Sequence, residues 1–148
     1  MTVRRLLPGF LLFSALSLAA VPVTAQQQSS PDTTTLAIDL NGLAPSQGAC
    51  RLTFVVRNGL QADIAKSAFE LALFNKNGFV ERLITLDFKQ LPRGKTRVRQ
   101  FDLAELECSS LARILINDAH ECSGPGLTPD ACMDNLAATT VTDLEFGS

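Results

Sequence analysis

The chain has 148 residues, with 13 Lys+Arg against 15 Asp+Glu, one His, nine Phe and neither Trp nor Tyr. A net charge of −2 gives no bulk attraction to nucleic acid or to an anionic membrane. A single imidazole in the whole sequence leaves acid–base catalysis few residues to work with.

Residues 1–25 read as a signal peptide. Arg4 and Arg5 supply a positive start, Phe10 to Ala20 an apolar run, and Val23-Thr24-Ala25 a small-residue cleavage site. The apolar run is shorter than the about 20 residues of a spanning helix, and Pro8 and Pro22 bracket it. Cleavage after Ala25 is therefore expected, rather than a retained anchor. The Arg-Arg pair also occurs in twin-arginine signals, but Leu6-Leu7-Pro8 continues that motif poorly, which favours the general secretory route. Residues 26–35, QQQSSPDTTT, hold nothing apolar to bury and read as a flexible leader. Residues 36–148 remain for one domain in a periplasmic or secreted protein.

Leu36, Ile38 and Leu40 alternate with Ala37 and Asp39 as a first strand, followed by turn chemistry at Asn41-Gly42 and Ala44 to Gly48. The clearest strand is Cys50 to Arg57, where Cys50, Leu52, Phe54 and Val56 alternate with Arg51, Thr53, Val55 and Arg57. Residues 63–74 admit two readings. Ile64, Ala68, Leu71 and Ala72 fit a helical face, whereas Phe69, Leu71 and Leu73 fit a strand. The loop Asn75-Lys76-Asn77-Gly78 that follows suits a hairpin, and a hairpin needs a strand on each side, so strand is preferred.

Phe79 to Phe88 is the return strand, with Arg82 interrupting its apolar face and implying either a rim position or a register shift. Lys95 to Leu103 comes next. Val98 and Phe101 have opposite parity there, so burying both requires a bulge. AELECSSLA has room for one helical turn, and Arg113 to Ala119 forms another strand. HECSGPGLTPDAC, with two Pro and two Gly, reads as a loop, and Leu136 to Phe146 as a last strand. About seven strands separated by turns predict an all-β protein, a single antiparallel β-sandwich of the immunoglobulin or fibronectin type III kind.

Four cysteines in an exported chain read as two disulfides. Three pairings of Cys50, Cys108, Cys122 and Cys132 are open to the sequence. An immunoglobulin-like order favours Cys50–Cys108, at the starts of two strands running the same way in opposite sheets, with Cys122–Cys132 closing the final loop. The pattern C-R-L-T-F-V, R-V-R-Q-F-D-L, C, R-I-L-I-N, C over residues 50–122, behind a signal sequence, resembles small exported bacterial proteins of uncharacterised function. That resemblance implies a periplasmic immunoglobulin-like sandwich and brings no activity or site residues with it.

Candidate chemistry is sparse. Cys108, Cys122 and Cys132 with His120 could form a Cys₃His metal set, but the nearest pair is Cys122-x₉-Cys132, and disulfides win in an oxidising compartment. Glu121, Asp130 and Asp134 are too widely spaced for calcium. Ser109, Ser110 and Ser123 lie near Asp118 and His120 in sequence, without a Gly-x-Ser-x-Gly elbow. No Cys-x-x-Cys or Gly-rich phosphate loop occurs, so neither cofactor nor metal is expected, and the reading is of a protein that is not an enzyme.

Charge stands out instead. Residues 50–101 carry ten Lys+Arg against four Asp+Glu, and residues 102–148 one against nine. Lys95, Arg97 and Arg99 share one strand face, with Lys89 and Arg93 just before them. They form either a solvated edge that discourages strand pairing or a patch for an envelope protein or an anionic polysaccharide. The expected role is a non-catalytic binding or accessory module of the cell envelope. A structural subunit of an envelope assembly is the alternative, ahead of an enzyme with an unrecognised site.

Overall fold

The alternation in residues 50–57 becomes β2 (Ala49–Asn58), with Cys50, Leu52, Phe54 and Val56 all fully buried. The computed structural model describes residues 34–148. The expected signal peptide, its expected cleavage site and nearly all of the expected leader lie outside the described residues. Among the described residues, no helix is long and apolar enough to cross a membrane.

β1 (Leu36–Ser46) pairs antiparallel with β2 and buries Leu36, Ile38 and Leu40. The sequence pattern stops this strand at Leu40, but the ladder continues to Ser46. Its Asn41-Gly42 step is absorbed as a register shift rather than used as a turn. Gln47 and Gly48 then close the hairpin with φ of 43° and 77°, the doubly left-handed geometry that matches strand twist.

β3 (Lys66–Asn75) resolves the ambiguous stretch as strand. It lies between β4 (Val80–Asp87) and β6 (Leu111–Ser123), so both of its edges are paired and short side chains on its outer face are shaded by larger neighbours. Phe69, Leu71 and Leu73 enter the core, and the small Ala68 and Ala72 are covered on the other face by flanking strands. That two-sided burial is what imitates a helical face in the sequence. In the hairpin loop, Asn75 Oδ1 accepts from the Asn77 and Phe79 amides, and Gly78 takes φ 81°. Arg82 marks a register shift: Leu73 pairs with Arg82 and Phe74 with Val80, which leaves Glu81 as the extra residue.

β5 (Thr96–Ala104) pairs with β2 without interruption from Ala49–Ala104 to Arg57–Thr96. No bulge is needed between Val98 and Phe101, because Val98 stays 58 % exposed on the outer face. One 3-10 turn, Cys108–Ser110, precedes β6. β6 extends past the expected end at Ala119 and takes in His120 to Ser123, which the sequence assigns to a loop. Its ladder with β3 skips Asn117 and His120 at register shifts, so the strand can bend while it keeps pairing.

After a four-residue helix (α1, Ala131–Asp134), the expected last strand is divided into β7 (Leu136–Thr140) and β8 (Glu145–Gly147). The sheet orders are β5-β2-β1-β7 and β4-β3-β6-β8, eight strands rather than seven. β7 runs parallel to β1 and β8 parallel to β6, so the expectation of a purely antiparallel arrangement is corrected at these two strands. The bends between them carry the chain from one sheet to the other. The Thr140 hydroxyl donates to the Leu40 carbonyl, and the Thr142 hydroxyl accepts from the Leu144 amide.

The two sheets share one apolar core. Phe54 of β2 packs against Phe88, Phe101 and Phe146 with ring centroids 5.4, 6.0 and 5.8 Å away, and Phe69 against Phe88 at 5.6 Å. Asn58 is fully buried yet satisfied, donating to the Ala62 and Leu91 carbonyls while its Oδ1 accepts from Leu60 N. Disulfides join Cys50 to Cys108 and Cys122 to Cys132, the pairing favoured by an immunoglobulin-like order. The first ties β2 to the turn that leads into β6 in the opposite sheet. Two disulfides fit an oxidising, extracytoplasmic compartment.

Candidate functional site

β4 and β5 are edge strands of different sheets on the same side of the molecule. The gap between them is where the five cations of the predicted patch are sorted. Residues of β5 with odd numbers face inward: Leu103 is buried, Phe101 half-buried, and Arg99 and Arg97 follow at the same parity. Arg99 therefore reaches across the gap. Its Nε donates to the Phe88 carbonyl at 2.7 Å and its Nη2 to the Gln90 carbonyl at 3.2 Å. Arg82 of β4 reaches the other way, with Nη1 on the Ala104 carbonyl at 2.9 Å. The two guanidiniums thus clamp the open side from both edges.

Lys89 is committed locally. Its ammonium pairs with Asp87, whose carboxyl also accepts from the Lys89 amide. The side-chain bond from Lys89 is the main cause that holds the Asp87 carboxyl below its ordinary range. Lys89 and Arg99 are thus held by bonds within the fold.

Arg93 and Lys95 lie in the loop that leads into β5, and Arg97 near the start of that strand. The Gly94 amide donates to the Asn58 carbonyl at 2.7 Å and the Arg93 amide to Asp63 Oδ1 at 2.7 Å, which folds this loop over the end of β2. Arg57, the last cation of β2, lies opposite Thr96 on the outer face of the sheet, whereas Arg97 lies opposite the buried Val56 on the inner face, so the two are not brought together. Arg57 and Arg93 do meet at this corner, where they line a shallow hollow of about 190 Å³ with Gly59, Leu60, Gln61 and Gly94. Ion pairs among the described residues are Arg51–Asp102, Lys66–Glu121, Lys89–Asp87 and Arg113–Glu145, and none of them involves Arg57, Arg93, Lys95 or Arg97. Arg57 is 36 positions before Arg93 in the chain, so proximity in sequence could not reveal it. Its parity at the end of the clearest strand is the signal that could have.

On the outer face of the same sheet, Arg51 and Asp102 form a two-bonded pair at 2.7 and 2.8 Å. The bond from Arg51 is the first cause that lowers the Asp102 carboxyl from its usual 3.8.

The remaining candidates do not converge. Ser109 and Ser110 precede β6, and His120 lies near its far end, on the order of 30 Å away along the strand. Asp118 Oδ1 is engaged by the Ala119 amide at 2.7 Å, and Ser123 is the terminal residue of β6. All four cysteines are bridged, so none offers a thiolate to a metal. Among the described residues, no three His, Cys, Asp or Glu side chains are grouped to hold a metal ion. A hollow of about 690 Å³ lies over Cys108 and is lined by Leu43, Leu111 and residues 141–144, with Asp143 as its one ionisable side chain. Comparison with family models, with curated proteins and with solved structures returned no match.

Proposed function

We propose that this protein is an exported, non-catalytic, immunoglobulin-like β-sandwich that binds an anionic partner in the cell envelope. A carboxylated polysaccharide is the partner class that fits best. The observation that carries this reading is the hollow that Arg57 and Arg93 share, two cations outside every ion pair among the described residues. Cations drawn together from a strand and a loop repel one another, and a multivalent anion offsets that repulsion at each of them. A shallow hollow suits a chain lying across the surface better than a small enclosed substrate. The signal sequence and the two disulfides support delivery to the envelope.

The test is retention on immobilised alginate at increasing ionic strength. Retention at low salt that is lost at high salt is expected for the wild type, and none at any salt for Arg57→Glu combined with Arg93→Glu. Equal retention of wild type and variant, with unchanged melting temperatures, overturns the reading.

A further inference from the structure

The sheet β4-β3-β6-β8 has one face in the core and the other in solvent, and its solvent face is apolar at the centre. Directly opposed residues project from the same side of a sheet. Ala72 is flanked by Leu83 and Leu115, and Phe74 by Val80 and Arg113, with the Arg113 guanidinium 5.3 Å from the Phe74 ring. Leu83 is 58 % and Val80 53 % exposed, large values for residues in a strand between charged ends. The Arg82 and Arg99 clamps occupy the gap between the β4 and β5 edges, so the face rather than the gap is the open apolar surface.

The charges on this face are divided by position. Lys76, in the hairpin loop beyond Phe74, lines a hollow at one end with Phe74, Arg113 and Glu145, and Glu145 is ion-paired with Arg113. Glu70 and Asp118, opposed across the strands, lie at the other end, while Asp87 and Glu121, flanking Ala68 further on, are ion-paired with Lys89 and Lys66. Outside those ion pairs, the face carries an apolar centre between Lys76 at one end and Glu70 and Asp118 at the other.

We propose that a second copy of this chain covers this face, stacked sheet on sheet with its strands antiparallel to the first. A two-fold axis in the plane of the interface, perpendicular to the strands and level with Leu73, places Lys76 of one copy over Glu70 of the other. It does so twice. The same operation puts Phe74 over Ala72 and Val80 over Leu83, so the apolar centres meet. Face-to-face sheets are about 10 Å apart, a gap that Lys and Glu side chains span together. A two-fold contact needs a self-complementary patch, and this division of charge provides one. A purely anionic or purely cationic partner leaves one end of the face opposed by like charge. The proposal is independent of the cationic corner, which belongs to the other sheet, so either can fail alone.

Sedimentation of the protein as the cell processes it, over a roughly hundred-fold range of concentration, reads the association. A concentration-dependent dimer is expected, abolished by Leu83→Glu without loss of the folded circular-dichroism spectrum. Lys76→Glu and Glu70→Lys each weaken self-association by about tenfold, because each opposes like charges at two places. An equimolar mixture of those two variants restores the dimer, since every Glu then meets a Lys. The mixture is the decisive arm, because a merely structural effect of either substitution cannot be rescued by mixing. A wild type that stays monomeric throughout overturns the proposal. So does a dimer insensitive to Leu83→Glu, or a mixture no better associated than its components.

Discussion

Arg82 and Arg99 cross the same open side of the molecule in opposite directions, each donating to carbonyls beyond the other's strand. Alternation in the sequence places Lys95, Arg97 and Arg99 on one face, but it does not show that the face turns inward toward another sheet. Hydrogen bonds from a charged donor contribute more than neutral ones, so Arg99→Ala is expected to cost about 1–2 kcal/mol in urea unfolding. Lys95→Glu and Arg97→Glu should stay within about 0.5 kcal/mol, as exposed substitutions do. Equal effects at all three positions would show that the Arg99 bonds add nothing. Asp102 offers a second check. Its carboxyl is lowered when folded, so its contribution to stability is present above the ordinary carboxylate pKa and is lost as pH falls through the folded value. Arg51→Ala should return the Asp102 titration, followed by NMR, to near its usual 3.8. A midpoint that does not move upward in the variant contradicts that assignment.

Among the elements, the two disulfides differ in what they constrain. Cys50–Cys108 spans 58 residues and Cys122–Cys132 spans 10. Loop-closure entropy assigns about 4 kcal/mol to the first and about 2.7 to the second. Replacing Cys50 and Cys108 together by Ala should therefore lower the denaturant midpoint more than replacing Cys122 and Cys132. The reverse order would mean that native strain or residual unfolded structure outweighs chain entropy. The strands were legible where one face is buried and the other wet, as in β2, where every second residue is fully buried. Legibility failed where a local signal was overruled by a neighbour. Asn41-Gly42 reads as a turn but is carried by the long ladder with β2, and His120 to Ser123 read as loop but pair with β3. The candidate site was half legible: Arg93 lies in the run of cations that the sequence picks out, whereas Arg57 comes from a strand that only the fold brings alongside.

In the whole molecule, residues 136–147 finish both sheets. Phe146 of β8 is 8 % exposed and touches Phe54 of the opposite sheet, so Phe146→Ala should cost about 3–4 kcal/mol and is readable by chemical denaturation. A cost under about 1 kcal/mol would mean that β8 is an ornament on a core that is already closed. Most pairings join strands that are distant in sequence, β2 with β5 and β3 with β6 among them, an arrangement associated with folding in milliseconds to seconds.

The parallel pairing of β1 with β7 also orders events in time. Thr139 and Asp39, hydrogen-bonded at 3.0 Å, are 100 residues apart. Synthesis and any threading of the chain across a membrane deliver β1 first and β7 last. β1 can zip onto β2 at once, yet its other margin has no native neighbour until Leu136–Thr140 has emerged. For that interval Leu36, Ile38 and Leu40 belong to a sheet with an unfinished border, and the strand that completes it arrives with the strand that seals the opposite sheet. Completion is thus tied to the arrival of residues 136–147. A chain cut before Leu136 loses both borders together, and is expected to be cleared by proteases where the intact chain survives.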